Sequence, residues 1–184
     1  ANAFTAYTSF FAPPPAKAAN DGPPWIYTWS ISQPPEVEIT FTLTVDETAE
    51  YNTWEYKVDG YDEDGTYDEF VFYSAMSAKD GSMGEMHIFD PEFSGVDPAL
   101  SWDWSESVLG VTTMQMYNFD DGERIEFVVD ADESGDLEVY EWYMDAWVVV
   151  EHYDWTALGN GSYVLYDTDG EELGSGSWNA GNPM

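Results

Sequence analysis

Glu36-Val37-Glu38-Ile39-Thr40-Phe41-Thr42-Leu43-Thr44-Val45 is the stretch that decides the fold. Val37, Ile39, Phe41, Leu43 and Val45 alternate with Glu and Thr over ten residues. Successive side chains of a strand point to opposite faces, so this period of two describes a strand with one face on a core and the other in water. No long segment of the chain shows the 3.6-residue spacing of an amphipathic helix.

Strand-like runs follow on the C-terminal side at Tyr51–Val58, Tyr67–Ser74, Met83–Phe89, Val111–Phe119, Arg124–Val129, Leu137–Met144, Trp147–Trp155, Ser162–Tyr166 and Glu172–Trp178. Turn chemistry separates most of them: Asp64-Gly65, Asp80-Gly81, Asp121-Gly122, Ser134-Gly135, Asn160-Gly161 and Asp169-Gly170. Asp-Gly and Asn-Gly accept positive φ and carry the twist of tight hairpins. The expected fold is all-β, an antiparallel meander forming a β-sandwich or barrel-like domain. Some strands are apolar on both sides: Phe70 and Phe72 oppose Val71 and Tyr73, and Tyr140 and Trp142 oppose Val139 and Tyr143. Such strands ask for a second covering surface, or use Tyr and Trp as residues that tolerate half-exposure.

The chain has 184 residues with 37 Asp and Glu against 4 Lys and Arg, a formal charge of −33. Binding to nucleic-acid backbones or to an anionic membrane surface needs clustered Lys and Arg, so both classes of partner are excluded. The acids cluster, as in Asp62, Glu63, Asp64, Asp68 and Glu69, or in Asp120, Asp121 and Glu123. Carboxylates held side by side resist joint ionisation unless cations or salt screen them. Cysteine is absent, which excludes a disulfide framework, thiolate metal sites and a thiol nucleophile. A Cys-free acidic chain beginning at Ala1 is expected to be secreted, at an extracellular or cell-surface location.

Three regions divide the chain: residues 1–12, a Pro-rich linker at 13–24, and one β-domain at 25–184. The first 16 residues carry no charged side chain. Residues 3–11 have strand composition, with Phe4, Ala6, Thr8 and Phe10 on one face and Ala3, Thr5, Tyr7, Ser9 and Phe11 on the other. The linker could span on the order of 30–40 Å in polyproline geometry, far enough to reach a neighbouring molecule. Burying Phe4, Tyr7, Phe10 and Phe11 would contribute roughly 6–12 kcal/mol before ordering entropy. Residues 3–11 could equally pair with their own body as an edge strand, or form a loose terminus. A strand given by each copy to the next makes a heterologous contact that need not close, hence a filament.

This order of an uncharged N-terminal strand, a short linker and a Cys-free β-domain resembles donor-strand pilins and related extracellular filament subunits. The resemblance lies in residues 1–24 and extends to no motif in the body. It implies a self-polymerising structural subunit with Phe4, Ala6, Tyr7, Thr8, Phe10 and Phe11 as the polymerisation strand. The alternative is a monomeric secreted lipocalin-like or carbohydrate-binding module with calcium in acidic hairpins.

Asp130-Ala131-Asp132-Glu133-Ser134-Gly135-Asp136-Leu137-Glu138-Val139-Tyr140-Glu141 has the spacing of a twelve-residue EF-hand loop. Asp130, Asp132, Ser134, Asp136 and Glu141 would supply Ca²⁺ ligands around the turn glycine Gly135. The flanks read as strands where an EF-hand needs helices, so an acidic hairpin turn is the competing reading. No enzyme is indicated. With 37 acids any carboxylate pair can be found, no nucleophile elbow or phosphate-binding glycine loop occurs, and His87 and His152 are the only histidines. Trp102, Trp104, Trp142 and Trp147 could stack on sugar rings or pack internally.

Overall fold

The computed structural model describes residues 21–33, 35–62, 65–92 and 97–180. The proposed polymerisation strand at Phe4, Ala6, Tyr7, Thr8, Phe10 and Phe11 lies outside the described residues. Among those residues there is no helix, and twelve strands follow one another: β1 (Trp25–Gln33), β2 (Val37–Glu47), β3 (Tyr51–Tyr61), β4 (Thr66–Ala78), β5 (Met83–Ile88), β6 (Leu100–Glu106), β7 (Thr112–Asn118), β8 (Glu123–Val129), β9 (Gly135–Tyr143), β10 (Ala146–Trp155), β11 (Gly161–Tyr166) and β12 (Glu172–Trp178). The strand order in the sheet is the sequence order, β1 to β12. The all-β antiparallel meander expected from the alternation is therefore the architecture. Short connections join every neighbouring pair except β5 and β6, which residues 89–99 separate and which pair antiparallel all the same.

The chain divides into two compact units, one reaching to Met76 and the other starting at Ser77. In the first, the decisive stretch behaves as its alternation requires. Leu43, Phe41 and Ile39 of β2 stand opposite Tyr27, Trp29 and Ile31 of β1. Leu43 and Phe41 face Tyr56 and Val58 of β3 on the other side. Ile39, Phe41, Tyr56 and Val58 are buried, with Trp29, Leu43 and Phe72 packed against them. The rings of Trp29 and Phe41 stack with centroids 5.6 Å apart, and Phe41 and Tyr56 stack at 5.8 Å. Each buried side chain of this kind contributes roughly 1.5–3 kcal/mol. Burial also pushes the Tyr56 phenol up to about 12. The opposite face carries Ser30, Thr40 and Lys57, with Ser30 Oγ 3.0 Å from Thr40 Oγ1 and Lys57 Nζ 3.3 Å from Glu55.

The second unit is held differently. No residue of β7 to β12 is buried, and most side chains on both faces are half-exposed. Stability there rests on cross-strand pairs, the unit of sheet stabilisation. One face gathers Met114, Met116, Ile125, Phe127, Leu137, Val139, Tyr153, Trp155, Tyr163 and Trp178, which the pairings place on a common side. The other gathers Gln115, Tyr117, Arg124, Glu126, Glu138, Tyr140, Trp142, Trp147 and His152.

The turn glycines divide into two kinds. Gly81, Gly122 and Gly170 have φ of +79°, +67° and +83°, the left-handed geometry their Asp-Gly signals predict. Gly135 and Gly161 do not. They are the first residues of β9 and β11, and positive φ falls on Glu133 and Gly159 instead. A Cβ on Gly135 would lie 2.6 Å from the Trp155 indole, and one on Gly161 would run into the Trp178 indole. Glycine is needed there because a Cβ would run into a ladder carbonyl, that of Val128 or Asp154, as well as the indole.

Candidate functional site

The polar face of the second unit centres on Arg124, the only arginine of the chain. Register brings its partners together. Arg124 on β8 stands opposite Tyr117 of β7 and Tyr140 of β9, while Glu126 stands opposite Gln115 and Glu138. The guanidinium lies 3.9 Å from the centroid of the Tyr140 ring, with Trp147 at 5.6 Å and Tyr117 at 5.9 Å. Arg124 Nη2 is 3.2 Å from Glu126 Oε1, to which Gln115 Nε2 also donates at 2.9 Å. The buried Nε has no hydrogen-bond partner among the described residues. Stacking between aromatic faces is how a weakly hydrated, planar cation tolerates such a place.

The Tyr140 hydroxyl lies between two carboxylates, 2.5 Å from Glu138 Oε2 and 3.0 Å from Glu126 Oε2. Burial first, and then the hydrogen bond to Glu138, push this phenol far above its ordinary range. It is a fixed donor at any physiological pH. Glu138 in turn reaches His152 Nδ1 on β10 at 3.4 Å. Asp136 lies one step further along β9 and holds its proton to higher pH than usual, through burial and then the Glu138 charge. The carboxylates, phenol, imidazole and guanidinium of the network bind mainly one another, and in doing so they position side chains across β7 to β10.

An open cleft of about 560 Å³ adjoins this network, lined by Glu138, Val149, His152, Tyr166, Thr168 and Asp169 among others. Two register shifts border it, one between Val149 and Glu151 on β10 and one between Leu165 and Tyr166 on β11. Bulges of this kind redirect side chains and concentrate beside functional positions.

The five residues with EF-hand spacing separate in space. Asp130, Asp132 and Ser134 share the β8–β9 turn. The Asp130 amide donates to the Ser134 carbonyl at 2.8 Å, and the Ser134 hydroxyl donates to Asp132 Oδ1 at 2.5 Å. That hydroxyl, followed by the Ser134 amide, holds the Asp132 carboxyl below the usual carboxylate range. Asp136 and Glu141 lie on β9, opposite Val128 and Glu123 of β8. Their odd spacing sends them to opposite faces, and Glu141 is roughly 20 Å of strand away from the turn. The chain therefore turns once and runs straight, where an EF-hand loop would curl around its ion. Among the described residues no group of three or more His, Asp or Glu is placed to hold a metal ion. What remains of the calcium expectation is the turn itself, Asp130, Asp132 and Ser134.

The tryptophans with stacking potential also separate. Trp142 and Trp147 meet edge-on at 5.2 Å on the polar face of the β9–β10 hairpin. Trp102 and Trp104 of β6 pair with Met116 and Met114 of β7, on the apolar face. Sequence reading passed over Trp155 and Trp178. Each sits in register with the glycine that opens a neighbouring strand, Gly135 and Gly161. Only knowledge of the register could reveal that pairing. No protein-family model matches the chain, and none of the curated proteins matches it.

Proposed function

We propose that the protein is a structural subunit of a secreted extracellular filament, which polymerises by adding residues 3–11 of one copy as a strand to a neighbour. The observation that carries this reading is charge: the first 16 residues have no charged side chain in a chain of net charge −33. Such a segment can lie against an acidic body without carboxylate repulsion, and its Phe and Tyr side chains gain from burial. A receiving edge is available in support. Among the described residues β12 pairs with β11 alone, and from Gly174 to Trp178 it holds a continuous register. That stretch, Gly-Ser-Gly-Ser-Trp, has no charge and no proline, which are the usual guards of an exposed edge. Calcium in the β8–β9 turn, where Asp130, Asp132 and Ser134 meet, is a subsidiary part of the proposal. Deletion of residues 1–12 tests the reading. Electron microscopy and light scattering should show filaments for the full chain and dispersed monomers for the deletion. Filaments that survive the deletion overturn it.

A further inference from the structure

The apolar face of the second unit carries a row that shares only Trp178 with the proposed receiving edge. Gly135, Trp155, Gly161 and Trp178 lie in mutual register across β9, β10, β11 and β12. The Trp155 indole lies over Gly135, and the Trp178 indole over Gly161. One row further on, the Tyr163 ring covers Gly176 in the same manner. A glycine beneath each ring removes the Cβ that would collide with it, so the ring can approach the backbone closely while staying half-exposed. The Trp155 ring is further fixed by donation from Nε1 to the Glu133 carbonyl at 2.9 Å, and Phe127 stacks against it with centroids 5.4 Å apart. All of these rings are half-exposed.

The spacing is set by the sheet. The Trp155 ring lies above β9 and the Trp178 ring above β11, two strand spacings or about 10 Å apart. Flat aromatic faces at that interval suit a ligand with repeating apolar faces, such as the C–H faces of alternate pyranose rings along an extended chain. Charge narrows the class. The row Gly135, Trp155, Gly161, Trp178, with Phe127 and Tyr163 beside it, holds no carboxylate, amine, imidazole or guanidinium, while the whole chain has charge −33 and Glu151 stands on the same face two rows away. Nucleic acids and acidic polysaccharides, which also stack on aromatic rings, are repelled. We infer that this face is a binding platform for an uncharged, extended, β-linked polysaccharide, with Trp155 and Trp178 as its two stacking anchors. Hydroxyl-bonding groups stand alongside: Tyr153 donates to Glu151 at 2.7 Å on the same face.

The test uses the full chain with cellohexaose as probe, followed by tryptophan fluorescence and calorimetry. The intact protein should bind, and Trp178→Ala should weaken binding at least about tenfold, the scale of a buried aromatic anchor. Trp178→Tyr, which keeps a flat ring over Gly161, should restore most of the affinity even if the alanine variant is partly unfolded. Trp142→Ala, on the opposite face and 51% exposed, should bind as the intact protein does. Absence of binding by the intact chain overturns the inference, as does undiminished binding by Trp178→Ala or loss of binding by Trp142→Ala.

Discussion

Replacing Gly161 by alanine isolates the interaction that distinguishes the second unit. The added Cβ would fall within 3.0 Å of the Asp154 carbonyl oxygen and of two atoms of the Trp178 indole. The carbonyl belongs to the ladder and cannot swing aside, so the strand pair and the ring must both shift. Overpacking of this kind costs about 1–3 kcal/mol, and for a chain of this length each kcal/mol lowers Tm by about 2–4 °C. The expected fall is therefore roughly 2–12 °C. Two neighbours calibrate it. Gly176→Ala would meet only the Tyr163 ring, at 2.7–2.8 Å, and a side chain can rotate away, so its cost should be smaller. Gly174→Ala meets nothing within 4 Å and has no positive φ, so it should be neutral or gain up to about 1 kcal/mol by restricting the unfolded chain. Thermal melts followed by near-ultraviolet circular dichroism and tryptophan emission read all three. The order Gly161, Gly176, Gly174, from most to least destabilised, is the prediction. Equal melting temperatures for the Gly161 and Gly174 variants would refute the claim that rings lie on these glycines.

Arg124→Met should cost about 1–2 kcal/mol in urea denaturation, because it removes the stack on Tyr140 and leaves Glu126 without its ion-pair partner. Arg124→Lys should recover little of this, since an ammonium lacks the planar face. The two shifted aspartates act in opposite directions with pH. Asp132 is held low by Ser134, so its stabilisation is present above about pH 4 and is lost as the pH falls below it. Asp136 is held high by burial and Glu138, so its contribution is present in acid and is lost as the pH rises through the carboxylate range. Asp132→Asn should then lower Tm at pH 7 and leave it unchanged at pH 2, whereas Asp136→Asn should raise Tm at pH 7 and leave it unchanged at pH 2. Raising NaCl shortens the Debye length from about 30 Å at 0.01 M to about 3 Å at 1 M. With a charge of −33, Tm should climb over that range, and a flat profile would contradict the role given to acid clustering.

Much of the fold could be read from local pattern. The alternation at Val37–Val45 specified both the strand and its buried face, because a period of two leaves one arrangement that hides Ile39 and Phe41. Asp80-Gly81, Asp121-Gly122 and Asp169-Gly170 marked hairpins through the φ that glycine alone adopts freely. Two strands escaped. β1 lies between Pro23-Pro24 and Pro34-Pro35, and proline signals mask a nine-residue strand that needs no proline inside it. β6 is short, and the three residues Trp102-Asp103-Trp104 alternate over too few positions to mark a strand by themselves. The site was far less legible. The Arg124–Tyr140 stack and the glycine under each tryptophan depend on which residues face each other across strands. Register is a tertiary quantity that spacing along one strand cannot supply. The EF-hand spacing shows the same limit: Glu141 is close to Asp130 in sequence, but the strand of the competing hairpin reading carries it away at about 3.3 Å per residue.

Because the chain has no cysteine, a single pair of introduced thiols tests strand addition between copies without background. Thr8→Cys and Ser175→Cys are made on separate copies, mixed and oxidised, and the products are read by non-reducing mass spectrometry. The account predicts a covalent dimer of one copy of each variant, formed through residue 8 of one and residue 175 of the other. A mixture that yields no such dimer, while a single copy bearing both substitutions closes a disulfide within itself, would contradict it.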